Sequence, residues 1–415
     1  MYDIIEKEQF DALKQLIEKN SLCVNLIDHN LNTPLHYACK MIKPNFEIIK
    51  LLIENGANVN AVNKNNNSIL HSLFNCYKLY CNKEKVRYDI IKYILQQHIL
   101  PETLNIFNKK NQHILMHECR QIESNNEIIK LLLDKGIDVN CKDKDGNTPL
   151  IIACNKGWCS YVCHTDTVKI LLEKNVNINE KNNEGYNALF YAIFNYNAKT
   201  LKLLLNHKVD MNNCDNKNNT ALMVACIYDR YNAAEILSEY CTVEDVNHEN
   251  YGEGREDGHT PLTIACRNNS KHIVFLLLRK GANVNYKCKE DVTAIHYACM
   301  YDHVIMVEIL LNHGANANHK SQCNITPLMV ACSLGHVEVV KLLLRCDNVG
   351  VNIYDTDYRN KTAYDHAKEN GHTEIMNLFS NYSSFKKFKM YSKHLRNNII
   401  NKISNQLFKI SFQSL

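Results

Sequence analysis

The sequence predicts an all-α solenoid made of one helix–turn–helix unit repeated along most of the chain, and three observations lead to this fold class. A seven-residue pattern, complete at residues 33–39 as Thr-Pro-Leu-His-Tyr-Ala-Cys, recurs at a nearly constant step. A second apolar segment with helical spacing follows most copies. Glycine ends several of these second segments, at the position preferred just past a helix.

The recurrence of the first pattern defines the unit. Its steps lie between 33 and 45 residues, and a near-constant step with scattered extensions indicates one structural unit with insertions in its loops. After the copy at Thr33, further copies begin at Ser68, His113, Thr148, Asn187, Thr220, Thr260, Thr293, Thr326 and Thr362.

The first helix of the unit is clearest after residue 145. Residues 145–147 (Asp-Gly-Asn) form a tight turn, because glycine tolerates positive φ and Asp and Asn bond to their own backbone. Thr148 caps a helix, and Pro149 suits its first position, where no amide donor is needed. Leu150, Ala153 and Cys154 follow at helical spacing and supply one narrow apolar face.

The second helix is clearest at residues 337–344, after the break at Gly335. Several copies end in glycine followed by a Val-Asn pair or its like, which predicts a short extended hairpin leading into the next turn. Similar second helices are predicted at 47–53, 127–133, 200–205, 272–278 and 306–311.

Helix, turn, helix and projecting hairpin in this order resemble the ankyrin repeat, whose period and signature match over about residues 20 to 379. The resemblance implies a curved ankyrin-repeat solenoid with short β-hairpin tips, similar to the multi-repeat ankyrin proteins of large DNA viruses or AT-rich microbes. We expect N-terminal capping helices in 1–30, about ten repeats in 31–379, and a basic amphipathic helix or tail in 380–415.

The framework is interrupted at several places. The second unit lacks the proline and the small alanine, and the third has Glu118 where alanine belongs. Insertions are predicted near 77–89, 156–166 and 243–257; the last is rich in acids and is either a solvated loop or an arm that contacts a partner.

Many of the cysteines and histidines, which are candidate catalytic or metal-binding residues, fall at equivalent positions of the repeat. Seven of the eighteen cysteines share one position, where a small side chain suits a close-packed helix interface, and His36, His71 and His296 share another, which predicts turn-bonding histidines. No phosphate loop, nucleophile elbow or zinc-protease motif is present, so we expect no enzyme, no cofactor and no metal. The alternative is a zinc site formed by Cys154, Cys159, Cys163 and His164, although their spacing lacks the usual two-residue step.

Charge is distributed unevenly along the chain. Residues 380–415 hold seven Lys or Arg and no Asp or Glu, whereas residues 1–379 carry a net charge of −3. The tail either packs on the last repeat, docks another protein, or binds a membrane or nucleic acid. No apolar run is long enough to span a membrane, and the acidic start, residues 1–8, is unlike a secretory signal, so we expect a cytoplasmic protein (the host cytoplasm if viral).

On a repeat scaffold, recognition is carried by positions that vary while the framework repeats. The leading hypothesis is therefore a non-enzymatic scaffold or adaptor that holds a protein partner on its concave face. We expect it to be a monomer and to bind no nucleic acid. The alternative is a substrate receptor of a ubiquitin ligase that docks through the tail. The variable positions predicted to contact the partner are Tyr228, Arg230, Arg267, Tyr286, Met300, Tyr301 and Lys320.

Overall fold

The protein is described by a computed structural model that covers residues 1–75, 84–121, 126–155, 165–251, 258–345 and 350–380. These residues are largely helical, as the all-α fold class requires. They form two compact units, which divide between Asn216 and Lys217.

The first unit starts with two helices before the repeats and then contains five helix pairs. Within each pair a short first helix is followed by a second helix of about nine residues, except in the second repeat, where the second helix is longer. The helices are α1 (Tyr2–Glu6), α2 (Phe10–Lys19), α3 (Pro34–Lys40), α4 (Phe46–Glu54), α5 (Ile69–Asn75), α6 (Glu84–Gln96), α7 (Pro101–Leu104), α8 (Ile114–Arg120), α9 (Asn126–Asp134), α10 (Pro149–Cys154), α11 (Thr165–Leu172), α12 (Ala188–Phe194) and α13 (Ala198–Asn206), with a 3-10 turn at Ser21–Asn25.

The second unit also contains five helix pairs, and its first helices pack side by side in chain order. Its helices are α14 (Ala221–Ile227), α15 (Tyr231–Ser238), α16 (Val243–Val246), α17 (Pro261–Arg267), α18 (Lys271–Arg279), α19 (Ala294–Met300), α20 (Val304–Asn312), α21 (Pro327–Leu334), α22 (Val337–Arg345), α23 (Ala363–Glu369) and α24 (residues 373–380), with a 3-10 turn at Lys289–Asp291.

The predicted cap and core of the first helices are confirmed. In α10 the side chain of Thr148 accepts a hydrogen bond from the amide of Ile151 at 3.2 Å, and Pro149 occupies the first turn. All seven cysteines of the repeat position are buried, and burial raises the pKa of the Cys226, Cys266 and Cys299 thiols. The cysteine count is therefore a packing feature of these helices.

The predicted turn-bonding histidines are also confirmed. In α5 the His71 Nδ1 accepts from the amide and the hydroxyl of Ser68, at 3.3 and 2.9 Å, while Nε2 donates to the carbonyl of Gln112 in the next repeat at 2.9 Å. His36 and His296 make the same pairs of contacts. Each histidine thus closes a helix cap and joins two repeats.

The hairpin turns are held by side-chain and backbone hydrogen bonds together, as at Asp143, whose amide donates to the Asn147 carbonyl at 3.1 Å. Among the residues that the structure describes, the only isolated strand-type bridges are Val62–Ser68 and Thr356–Thr362. In six tips, at Asp28, Asn63, Asn108, Asp143, Asn182 and Asp357, the Asp or Asn side chain accepts from the amides two and four residues later. For Asp143 these amides are those of Asp145 at 3.0 Å and Asn147 at 2.8 Å. The extended tips predicted from the Val-Asn pairs are therefore tight turns with little strand pairing, closed by backbone and side-chain hydrogen bonds.

The asparagine of the Val-Asn pair joins neighbouring repeats, a role that we did not derive from the sequence. Asn285 Nδ2 donates to the carbonyl of Gly314 at 3.0 Å, and its Oδ1 accepts from the amide of Asn316 at 2.8 Å. Asn25, Asn60, Asn140, Asn247 and Asn318 make equivalent pairs of bonds. Tyr354 holds this position in the last repeat. We call these paired side-chain bonds the asparagine ladder, and they fix the distance between one hairpin and the next.

Two departures from the repeat pattern meet in the first unit. Glu118, which replaces the small alanine, is fully buried and pairs with Arg87 of α6. The Arg87 guanidinium also lies 4.5 Å from the ring centroid of Phe74. Residues 84–89, predicted as part of an insertion, thus belong to a long second helix that brings a cation to the buried carboxylate.

Three other predicted features are only partly described. Residues 165 and 166, from the second insertion, begin α11, and residues 243–246, from the third, form α16. The remainder of these insertions and the tail beyond residue 380 lie largely outside the described residues. At the N terminus α1 and α2 are present, and the Tyr2 hydroxyl donates to the carbonyl of Leu26 at 2.9 Å. No helix within the described ranges is long and apolar enough to cross a membrane.

Candidate protein-interaction surface

The loops that follow the first helices of the second unit repeat one geometry. At the ends of α14, α17, α19 and α21, the third residue after the repeat cysteine adopts a left-handed conformation, with φ of 52°, 60°, 56° and 81°. Asp229, Asn269, Asp302 and Gly335 occupy it, which are residue types that tolerate this conformation. The two residues before each turn are therefore presented in the same way by each successive repeat.

A row of histidines holds these loops together. His303 Nε2 donates to the carbonyl of Arg267 at 3.2 Å, and His336 Nε2 donates to the carbonyl of Met300 at 3.1 Å. His372 contacts the carbonyl of Ser333 in the same way at 3.2 Å. Each bond holds the backbone carbonyl of the preceding loop in place. The loops are therefore fixed before any partner binds.

Five of the seven predicted contact residues lie on these loops. Tyr228, Met300 and Tyr301 are exposed over 46%, 38% and 45% of their surface, whereas Arg230 and Arg267 are half-buried. The Tyr301 ring stacks on His303, with centroids 5.9 Å apart. Packing on a neighbouring ring reduces the rotamer entropy that binding removes.

Arg230 lies close to Tyr228. Its guanidinium carbon is 5.9 Å from the ring centroid of Tyr228, and its Nη1 donates to the carbonyl of Tyr228 at 2.9 Å. The two side chains therefore form one aromatic and cationic element at the end of α14.

The other two predicted residues lie on hairpins and make contacts inside the chain. The Tyr286 hydroxyl donates to the carboxylate of Glu249, and Lys320 Nζ lies 2.8 Å from Asp355 Oδ1. Each contact joins neighbouring hairpins, so the structure gives these residues a bridging role that sequence reasoning missed. The exposed Leu334, in the row of Tyr228 and Tyr301, was not among the seven.

Two cysteine–histidine contacts combine the residue types of a catalytic pair. Cys141 Sγ lies 3.2 Å from His113 Nδ1, and Cys288 Sγ lies 3.8 Å from His259 Nδ1. Burial raises the pKa of both thiols, that of Cys288 to about 11, and burial lowers the pKa of His113 to about 4. Thiols whose pKa is raised by burial stay protonated and are not activated nucleophiles.

The proposed zinc ligands fall mostly outside the described residues. Cys154 lies buried in α10, whereas Cys159, Cys163 and His164 are not among the residues that the structure describes. Within the described ranges, no group of three or more His, Cys, Asp or Glu side chains is placed to hold a metal ion.

Stacked helix pairs that present variable side chains on a fixed framework define a repeat scaffold of the kind that binds other proteins. Family models for ankyrin repeats match residues 78–182, 157–250, 241–321 and 314–389, and a single-repeat model matches residues 30–64. The chain belongs to the ankyrin repeat family, whose repeats are protein–protein interaction modules and are generally non-enzymatic.

Three relatives share part of this sequence. The chain is 30% identical over 149 residues to the stress-activated protein kinase alpha of Dictyostelium discoideum, with 35% of this chain and 21% of the kinase covered. It is 28% identical over 159 residues to the fowlpox virus ankyrin repeat protein FPV244 (38% and 22% covered). It is 30% identical over 158 residues to the phosphocholine transferase AnkX of Legionella pneumophila (36% and 16% covered). The chain thus spans about a fifth of the length of these relatives.

Proposed function

We propose that this protein is a non-enzymatic adaptor that binds a partner protein on the loops and hairpins of its second unit, the side that the resemblance predicts to be concave. The observation that carries the proposal is the row of exposed Tyr228, Met300 and Tyr301 on equivalent loops of one unit. Tyrosine and methionine are enriched in interface cores, and tyrosine is a frequent hot-spot residue.

The rigidity of the row supports the same proposal. The histidine bonds to the Arg267 and Met300 carbonyls fix the backbone at two of these loops, including the one that carries Met300 and Tyr301. A partner therefore meets a preorganised surface, and less of the interaction free energy is spent on ordering loops. Arg230, Arg267, Tyr286 and Lys320 would complete the surface with polar contacts.

The test uses the triple variant Tyr228→Ala, Met300→Ala and Tyr301→Ala in the full chain. Partners are recovered by proximity labelling in the native host with the wild-type protein, and binding is then measured with the purified partner. We expect the triple variant to lose at least 2 kcal/mol of binding free energy, about a thirtyfold rise in Kd.

The matched control is Phe275→Ala with Ile305→Ala. These side chains are exposed over 45% and 50% of their surface but lie on the second helices α18 and α20. Circular dichroism of both variants should match the wild type. Equal affinity of the wild type and the triple variant would show that the partner binds elsewhere.

The alternative, a substrate receptor of a ubiquitin ligase, places the ligase contact in residues 380–415. All but the first of these residues lie outside the described ranges, so the alternative stays a prediction. Deleting 381–415 separates the two functions: a receptor loses the ligase and keeps its target, whereas the adaptor proposed above loses neither.

A further inference from the structure

The turns of the first three hairpins differ from the others in composition. The two residues before each turn are Leu26–Ile27, Ala61–Val62 and Ile106–Phe107, which are apolar. In the next two repeats the corresponding pairs are Cys141–Lys142 and Glu180–Lys181. The turns do not require an apolar pair at this position, because the hydrogen bonds of each turn are made by the Asp or Asn that follows the pair.

Leu31, in the first of these turns, has an unfavourable backbone conformation. In every turn whose fourth residue the structure describes, that residue is left-handed, and apart from residue 31 it is Asn66, Asn111, Gly146, Gly185, Asn218, Asp291, Asn324 or Asn360. Leu31 adopts the same conformation with φ of 60°. Such a conformation strains the backbone of a leucine, a penalty that asparagine and glycine largely avoid.

Burial does not offset this strain, because Leu31 is still 42% exposed. Leu22, Leu26 and Ile27 in the same segment are exposed over 80%, 57% and 58% of their surface. Four exposed aliphatic side chains within ten residues form an apolar patch at the first hairpin. Backbone strain and exposed aliphatic surface at one place are the marks of a binding site.

The three turns are held in a row. The amide of Lys64 donates to the carbonyl of Asn30 at 2.9 Å, and the amide of Lys109 donates to the carbonyl of Asn65 at 2.9 Å. Side chains repeat the link, with Asn63 Nδ2 donating to Asn32 Oδ1 at 2.8 Å. We call this row, made of residues 22–32, 61–67 and 106–112, the first-hairpin edge.

The charge of the first-hairpin edge is basic at its surface. Lys64, Lys109 and Lys110 are exposed on the second and third turns. The one carboxylate of the three turns, Asp28, accepts from the amides of Asn30 and Asn32, both at 2.8 Å, and from the Tyr37 hydroxyl at 2.9 Å. Its acceptor sites are thus filled from within the chain, and it leaves the three lysines as the charges that face outward.

We propose that the first-hairpin edge is a docking site for an acidic segment of a partner protein that is rich in aliphatic side chains. The aliphatic side chains of the segment pack on Leu22, Leu26, Ile27 and Leu31, and its carboxylates pair with Lys64, Lys109 and Lys110. The site lies in the first unit, so it adds a second contact surface to the one proposed above and does not depend on it.

The test is selection from a displayed library of random dodecapeptides against the full-length protein. Parallel selections use an apolar variant, Ile27→Ser with Leu31→Asn, and a charge variant, Lys64→Glu with Lys109→Glu. The control is Lys144→Glu, an exposed lysine on the turn of the fourth repeat. We expect the wild type and the control to enrich the same peptides, which carry Asp or Glu together with Leu, Ile or Val.

Synthetic peptides from that pool should bind the two edge variants at least tenfold more weakly than the wild type in fluorescence polarisation. Leu31→Asn relieves strain, so the apolar variant should be no less stable, and thermal unfolding separates lost binding from lost fold. Failure to enrich any peptide, enrichment of basic peptides, or equal binding to the edge variants would overturn the proposal.

Discussion

Replacing one asparagine of the ladder, Asn285→Ala, tests whether side-chain bonds between hairpins stabilise the stack. The substitution removes two hydrogen bonds to the next repeat, to the Gly314 carbonyl at 3.0 Å and from the Asn316 amide at 2.8 Å. Each hydrogen bond contributes about 0.5–1.5 kcal/mol net, and the lower half of this range applies because the site is exposed. Losing both bonds should therefore lower the free energy of unfolding by about 1–2 kcal/mol.

The assay is urea unfolding followed by circular dichroism. With a slope of about 2 kcal/mol per molar urea, the midpoint should fall by about 0.5–1 M while the slope stays unchanged. Asn312→Ala is the control, because this exposed residue ends α20 and is not in the ladder. A midpoint change for Asn285→Ala no larger than for Asn312→Ala would refute the reasoning.

Three further outcomes follow from the first unit. Burial lowers the pKa of His71 from 6.5 to about 4, so the folded state favours the neutral ring. The neutral His71 ring stabilises the fold fully above pH 6.5, and this stabilisation is lost as the pH falls towards 4. His71→Asn should reduce the pH slope of the unfolding free energy in this window by up to about 1.4 kcal/mol per pH unit. Leu31→Asn should stabilise the protein by about 0.5–1 kcal/mol and the reverse change, Asn66→Leu, should destabilise it, which thermal unfolding measures. Glu118→Ala should destabilise by about 2–4 kcal/mol because it leaves the Arg87 charge largely buried, and adding Arg87→Met should recover most of the loss in urea unfolding; no recovery would contradict the pairing.

Much of the fold could be predicted from sequence because its signals are local. Thr148 and Pro149 specify a helix start through one backbone bond and one fixed φ, and the cysteine position follows from helical spacing. The apolar faces of the second helices, such as α22, follow from the same periodicity.

The candidate surface was harder to predict. The exposure of Tyr228 and Tyr301 could be expected from their loop positions. The Tyr286 contact with Glu249 and the Lys320 pair with Asp355 could not, because each joins residues more than thirty positions apart. Such pairs depend on the spacing of neighbouring hairpins, which no single repeat encodes.

The sequence by itself determined the class of fold and the family, because each repeat carries the caps, turns and apolar positions that form its own helices. Tertiary structure decided which residues connect repeats and which remain available for binding. The asparagines of the Val-Asn pairs bond to the next hairpin, and Glu118 pairs with Arg87. Leu31 is strained and exposed. The physical reason is that caps and periodicity act within a few residues, whereas burial, pairing and strain depend on what the neighbouring repeat places against each side chain.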